Sequence, residues 1–191
     1  MIVDYGAIPD LASYVETMPN AARNAARIAL NDVTQREGLD IFRDAIAAEI
    51  DFPPGYLNAD RLGIESLARN TDLAVTIVGR DRPTSLARFV QGGNAAGQYG
   101  VRVRVKGGVT RTIKNGFLLS LKNGNRALAV RLRPGETLRN TTGAKRLRDN
   151  VYLLYGPSVD QVFREVGPAE APVVMSKIEA EFYRQFFRLT K

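Results

Sequence analysis

Apolar and polar residues alternate along the chain in a way that marks a helical start, a strand-rich middle and a helical end. Across residues 19–50 the apolar residues recur at helical spacing, but not on a single face. Ala22, Ala25, Ala26, Ala29 and Val33 share one side. Leu39, Phe42, Ile46 and Ile50 point to a different one when each residue turns the helix by about 100°. The change falls around Gly38, the poorest helix former in the run, so the spacing predicts one long helix, kinked or re-aimed there. Pro19 suits a first helical turn, and Pro53-Pro54-Gly55 stops the helix. The small residues of the first half let another backbone approach closely. Ordinary core packing is favoured over contact with a second copy. Residues 1–18 read as an entry arm with a short helix near 10–17.

The middle of the chain reads as strands. Residues 61–69 form a candidate strand, and Leu73–Gly79 is the clearest one, rich in β-branched residues. Leu86–Val90 is a short strand or helical turn. In VRVRVK, Val101, Val103 and Val105 face one side, and Arg102, Arg104 and Lys106 the other. Gly107-Gly108 and Asn115-Gly116 are hairpin signals, and a further Asn-Gly lies in 122–125. ALAVRLR repeats the alternation, with Leu128, Val130 and Leu132 on one face. These runs predict an antiparallel meander over 61–155, apolar and helix-covered on one side, basic and exposed on the other. Residues 91–100 and 137–150 are glycine-rich or polar and read as loops that gain order on assembly. The glycines of 91–100 lack the G-K-[ST] of a phosphate loop. After the strand at 151–155, Ser158 sits where a helix N-cap belongs, ahead of a helix from about Val159. A further helix over 172–189 places Val174, Ile178, Phe182 and Phe186 on one stripe, expected to lie on the sheet. The expected fold is α+β in one domain, 1–191: an antiparallel sheet packed by the long N-terminal helix and the C-terminal helices of 158–191.

Composition narrows the chemistry. The 191 residues contain no histidine and no cysteine. That removes Ser-His-Asp and Cys-His catalysis, disulfides and most zinc or iron sites. Carboxylate-only catalysis, such as that of a Mg²⁺ enzyme, stays open. There is no apolar run of the roughly 18 residues a membrane span needs. The start, MIVDYGAIPD, has neither a basic stretch nor a long apolar one, so no secretory leader is expected.

Charge is strongly polarised along the chain. Residues 1–60 hold four Arg against ten Asp or Glu, whereas residues 61–150 hold eighteen Lys or Arg against five acids. The remainder carries five of each. Candidate subunit or DNA contacts are therefore Arg102, Arg104 and Lys106 on the strand, with Arg139, Lys145, Arg146 and Arg148 in the basic excursion. Their readings are a solvated face, a phosphate-binding face or a contact with an acidic protein. Phe117 is the one aromatic between 100 and 150, so no base-stacking platform exists and DNA contact would be non-specific.

The order of segments resembles a known family. An Ala-rich helix is followed by LAVTIVGRDRPTSLARF, a basic β-ribbon, FLLSLKNGNRALAVRL, YLLYGPSVDQVF and a tail ending EFYRQFFRL. This order is similar to that of the minor tail protein Z family of tailed bacteriophages, also called tail completion proteins. The most specific pieces are 77–89, 122–124 and 154–163, the last including Tyr155, Gly156, Pro157 and Ser158. The resemblance implies a virion structural protein at the head-proximal tail or neck, made in the host cytoplasm. Its copies would form a ring, hexameric or larger, around the DNA channel, contacting the tail terminator or tube and the head connector. It implies no catalytic residue, cofactor or membrane partner. A nucleic-acid-binding accessory protein and a carboxylate-dependent metal enzyme are the alternatives.

Overall fold

The computed structural model describes residues 20–92, 100–138 and 143–191. The class is α+β, with N-terminal and C-terminal helices and antiparallel sheets. The chain divides into two compact units. One takes the chain up to Ile46, Leu57–Arg80 and Phe163–Lys191; the other takes Ala47–Tyr56 and Asp81–Val162.

In the first unit, helix α1 (Asn20–Val33) buries Ala22, Ala25, Ala29 and Val33, the small-residue side read from the sequence. A π-helical turn, Thr34–Gly38, then joins it to α2 (Leu39–Glu49), which buries Phe42 and Ile46. Here the Leu39 N–H donates to the Thr34 carbonyl, five residues back. The wider turn absorbs an extra residue and re-phases everything after it, which is how two out-of-register apolar faces can both be buried. Gly38 is buried in this turn, and a Cβ there would lie 3.4 Å from Val174 Cγ1.

Val174 belongs to α3 (Val159–Leu189), one continuous helix where the sequence suggested two. Pro168 and Pro172 lie inside it and both are exposed, so the carbonyls they leave unbonded can turn to water. Of its predicted stripe, Val174 and Ile178 are buried, while Phe182 and Phe186 are half-buried and stacked. Phe42 and Phe163 meet edge to face at 5.1 Å, and Lys177 Nζ donates to Glu37 at 2.5 Å. The hairpin of β1 (Leu62–Ser66) and β2 (Thr76–Gly79) completes this unit. The loop inside the hairpin is fastened to α1 by Asn31. Its amide Nδ2 donates to the Ala68 carbonyl at 3.0 Å, and its Oδ1 accepts the Ala68 N–H at 2.8 Å.

The second unit contains two sheets, not one meander. In the smaller, β4 (Val101–Arg104) pairs with β5 (Thr110–Ile113); Val101 and Val103 are buried and Arg102 is exposed, as the alternation predicts. The Asn115-Gly116 hairpin is not formed. Asn115 takes a left-handed φ of 56°, and β6 (Gly116–Ser120) pairs with β7 (Arg126–Arg131), not with β5. The larger sheet is organised by β9 (Val151–Gly156), which pairs with β7, with β8 (Ala144–Arg148) and with the short β3 (Thr84–Ser85). Strand β8 overturns the reading of 137–150 as loop. The exposed basic face expected on β7 is also absent. Ala127, Leu128, Ala129 and Val130 are all buried, so both faces of this strand are covered, and arginines stand only at its ends.

Two measurements test the first unit. Asn31→Ala leaves the Ala68 N–H and carbonyl unpaired and should cost about 1–3 kcal/mol in denaturant unfolding. Asn31→Asp, which can accept but not donate, should fall between. The second concerns Glu181, whose carboxyl is pulled down to about 2 by hydrogen bonds from Arg184 first and Gln185 second. A depressed carboxyl stabilises the fold above its ordinary value near 4.5 and loses that contribution as pH falls towards 2. Glu181→Gln should lower stability at neutral pH, flatten its pH dependence in that window and converge with the unsubstituted protein near pH 2.

Candidate functional site

The candidate basic residues sit in three different settings. Arg102 and Arg104 alternate with the buried valines of β4 and Lys106 follows the strand, but two of the three already have carboxylate partners. Arg104 Nε donates to Asp51 Oδ2 at 2.5 Å, and Lys106 Nζ lies 2.7 Å from Glu49 Oε1. That hydrogen bond raises the Arg104 pKa further. The backbone arranges the meeting, because Ile50 bridges to Lys106 and the Asp51 N–H donates to the Val105 carbonyl. The end of α2 and the residues just after it thus bring Glu49 and Asp51 against the ribbon.

Lys145, Arg146 and Arg148 lie on β8 and are exposed, with Leu147 beside them 45% exposed. Arg146 Nε donates to the Asp149 carbonyl at 2.7 Å and braces the turn into β9. Lys145 and Arg148 make no ion pair among the described residues. The pairing of β8 with β9 is irregular between Arg146 and Arg148. A bulge and a row of cations keep an outer strand from adding further strands indiscriminately, so contacts here would run through side chains. Arg139 lies outside the described residues.

Tyr155, Gly156, Pro157 and Ser158 make a structural joint. Gly156 pairs with Thr84, and a Cβ on it would lie 3.2 Å from Leu86 Cδ2 and 3.3 Å from Phe89 Cε2. Ser158 is fully buried, and its Oγ accepts the Gln161 N–H at 3.0 Å while Gln161 Oε1 accepts the Ser158 N–H at 3.0 Å. This reciprocal capping box closes the start of α3. The serine is committed to the helix end and is no exposed nucleophile.

An apolar cleft of about 460 Å³, not expected from the sequence, opens in the second unit. Val103, Val109 and Ile113 of the β4–β5 ribbon line it on one side, and Leu86, Leu154 and Tyr155 on the other. Lys106 and Arg111 stand at its rim. The period-two pattern could place Val103 and Ile113 on one face. It could not say that this face would be left partly uncovered.

Among the described residues, no group of three or more carboxylates is close enough together to hold a metal ion. No described helix is long and apolar enough to cross a membrane. Comparisons with protein-family models, with curated proteins and with solved structures returned no match.

Removing the Ser158 hydroxyl should cost about 1 kcal/mol of stability, the usual worth of an N-cap. Ser158→Ala should show this in thermal unfolding, whereas Ser158→Asp should hold most of the cap, less the cost of burying its charge. A larger loss is expected for Gly156→Val, which must displace Leu86 or Phe89.

Proposed function

We propose that this chain is a structural subunit of a tailed-phage virion. In this reading it is a tail completion or neck protein, working as a ring of identical copies around the DNA channel. It would join the tail tube or terminator to the head connector. The sequence order described above supports the reading, since its most specific segments, Gly156 and Ser158 among them, serve packing and capping here.

One observation carries most of the weight. The chain neutralises the Arg104 and Lys106 row with its own Asp51 and Glu49, yet leaves Lys145 and Arg148 on an outer strand without ion-pair partners among the described residues. Exposed cations on an ordered strand suit a contact with another molecule. Each such pair contributes little, roughly 0–1 kcal/mol. Their part would be to set orientation and partner choice, while apolar burial supplies affinity. DNA phosphates passing through a channel are the second reading of the same strand.

The test reverses Lys145 and Arg148 to Glu, sparing Arg146 and its turn. Ring formation is followed by light scattering, and tail joining by complementation of a phage lacking the protein. Weakened assembly, most marked at low salt, is the expected result. Intact rings with impaired DNA retention would transfer β8 to the DNA reading. Absence of the protein from purified virions would end the virion proposal.

A further inference from the structure

Half of the carboxylates in the acidic first third of the chain are committed within the chain itself. Of its ten carboxylates, Asp32, Glu37, Asp40, Glu49 and Asp51 are in ion pairs. Asp44 and Asp60 are exposed. The other three, Asp4, Asp10 and Glu16, fall in residues 1–19. That stretch contains no Lys or Arg and is rich in apolar side chains, among them Ile2, Ile8, Leu11 and Val15.

The cleft of the second unit has the matching character. Its walls are apolar, and Val109 at the ribbon turn is 49% exposed. Arg111 on its rim is exposed and makes no ion pair among the described residues. Beside it, Lys106 keeps two thirds of its side chain in water despite Glu49 (66%). Apolar walls left in contact with water gain free energy when an apolar segment covers them. A cationic rim selects a segment of the opposite sign.

We propose that residues 1–19 of one copy seat in this cleft on a neighbouring copy, apolar side chains against Val109 and Ile113 and carboxylates towards Arg111. The assignment to a neighbouring copy rests on the ring reading above; the match of segment to cleft does not. It also places the acidic partner of the cleft's cations in the arm, because most acids of α1 and α2 are paired already.

The chain has no cysteine, so disulfide trapping is clean. Full-length Ile2→Cys, Ile8→Cys and Val15→Cys variants are each mixed with full-length Val109→Cys and oxidised. Val173→Cys, an equally exposed position on α3, is the control. At least one arm position should trap Val109→Cys several-fold faster than the control. Reversing Asp4, Asp10 and Glu16 to Lys should abolish that advantage, and adding Arg111→Glu to the Val109→Cys chain should restore it. Trapping no faster than the control, or indifferent to charge reversal, overturns the proposal. In a chain carrying both cysteines, an intrachain disulfide that outpaces the interchain one overturns the assignment to a neighbour. Light scattering on the untrapped full-length chain separates the two readings. Rings without arm trapping would sink this inference alone, and arm trapping without rings would sink the ring.

Discussion

Strand β9 has to satisfy its backbone groups against three other strands, and most of the second unit follows from that. Val151–Leu154 are bonded to β7 on one edge and to β8 on the other, while Tyr155 and Gly156 carry β3. A strand used on both edges has no solvent-facing backbone to spare, so its residues must be apolar or small enough to be covered. Leu153 and Val151 meet Ala127 and Ala129 of β7, and the small alanines leave room for Phe117 and Leu119 beside them. At the end of β9, Gly156 admits Leu86 and Phe89, and Ser158 starts α3. Sheet, tight packing and helix cap are therefore consecutive along eight residues.

The charge pattern takes on a different meaning once the pairs are known. A chain running from acidic to basic suggests a molecule with two oppositely charged ends. Part of that contrast is spent internally, where the residues after α2 lie along the β4–β5 ribbon. Arg104 with Asp51 and Lys106 with Glu49 are partly exposed pairs, so their contribution to stability is small. Their consequence is for recognition. They take two cations out of what would have been a continuous basic row and leave Arg102 of that row, like Arg111 and the cations of β8, open to a partner.

What could be read from sequence was local. The change of face at Gly38, the turn at Pro53–Gly55, the Gly107-Gly108 and Asn123-Gly124 hairpins and the cap at Ser158 each rest on neighbouring residues. Each has its own conformational signature, as with Gly124 at φ 77°. What could not be read was non-local. AKRLR at 144–148 has one large apolar residue and mostly helix-forming types; it is a strand because β9 offers it an edge. Alternation in ALAVRLR fixes two faces but not whether the second is covered, and β7 turns out to be covered on both. Arg104 and Asp51 are 53 residues apart, and no spacing rule links them. The cleft was invisible for the same reason, since its walls come from the ribbon and from β9.

The clamp that Asn31 places on Ala68 reads only main-chain atoms. One amide supplies the donor and the acceptor that a neighbouring strand would have supplied, and it is indifferent to which side chain follows. Outside the buried Ala68, and Asn70 with its bond from Arg27, the exposed positions of 67–72 are therefore free to diverge in chemistry while keeping their path, so long as their number stays the same. Point substitutions there should accumulate across variants of this protein far more readily than insertions or deletions. Asn31 itself has no substitute, because no other side chain of its length both gives and accepts at that spacing.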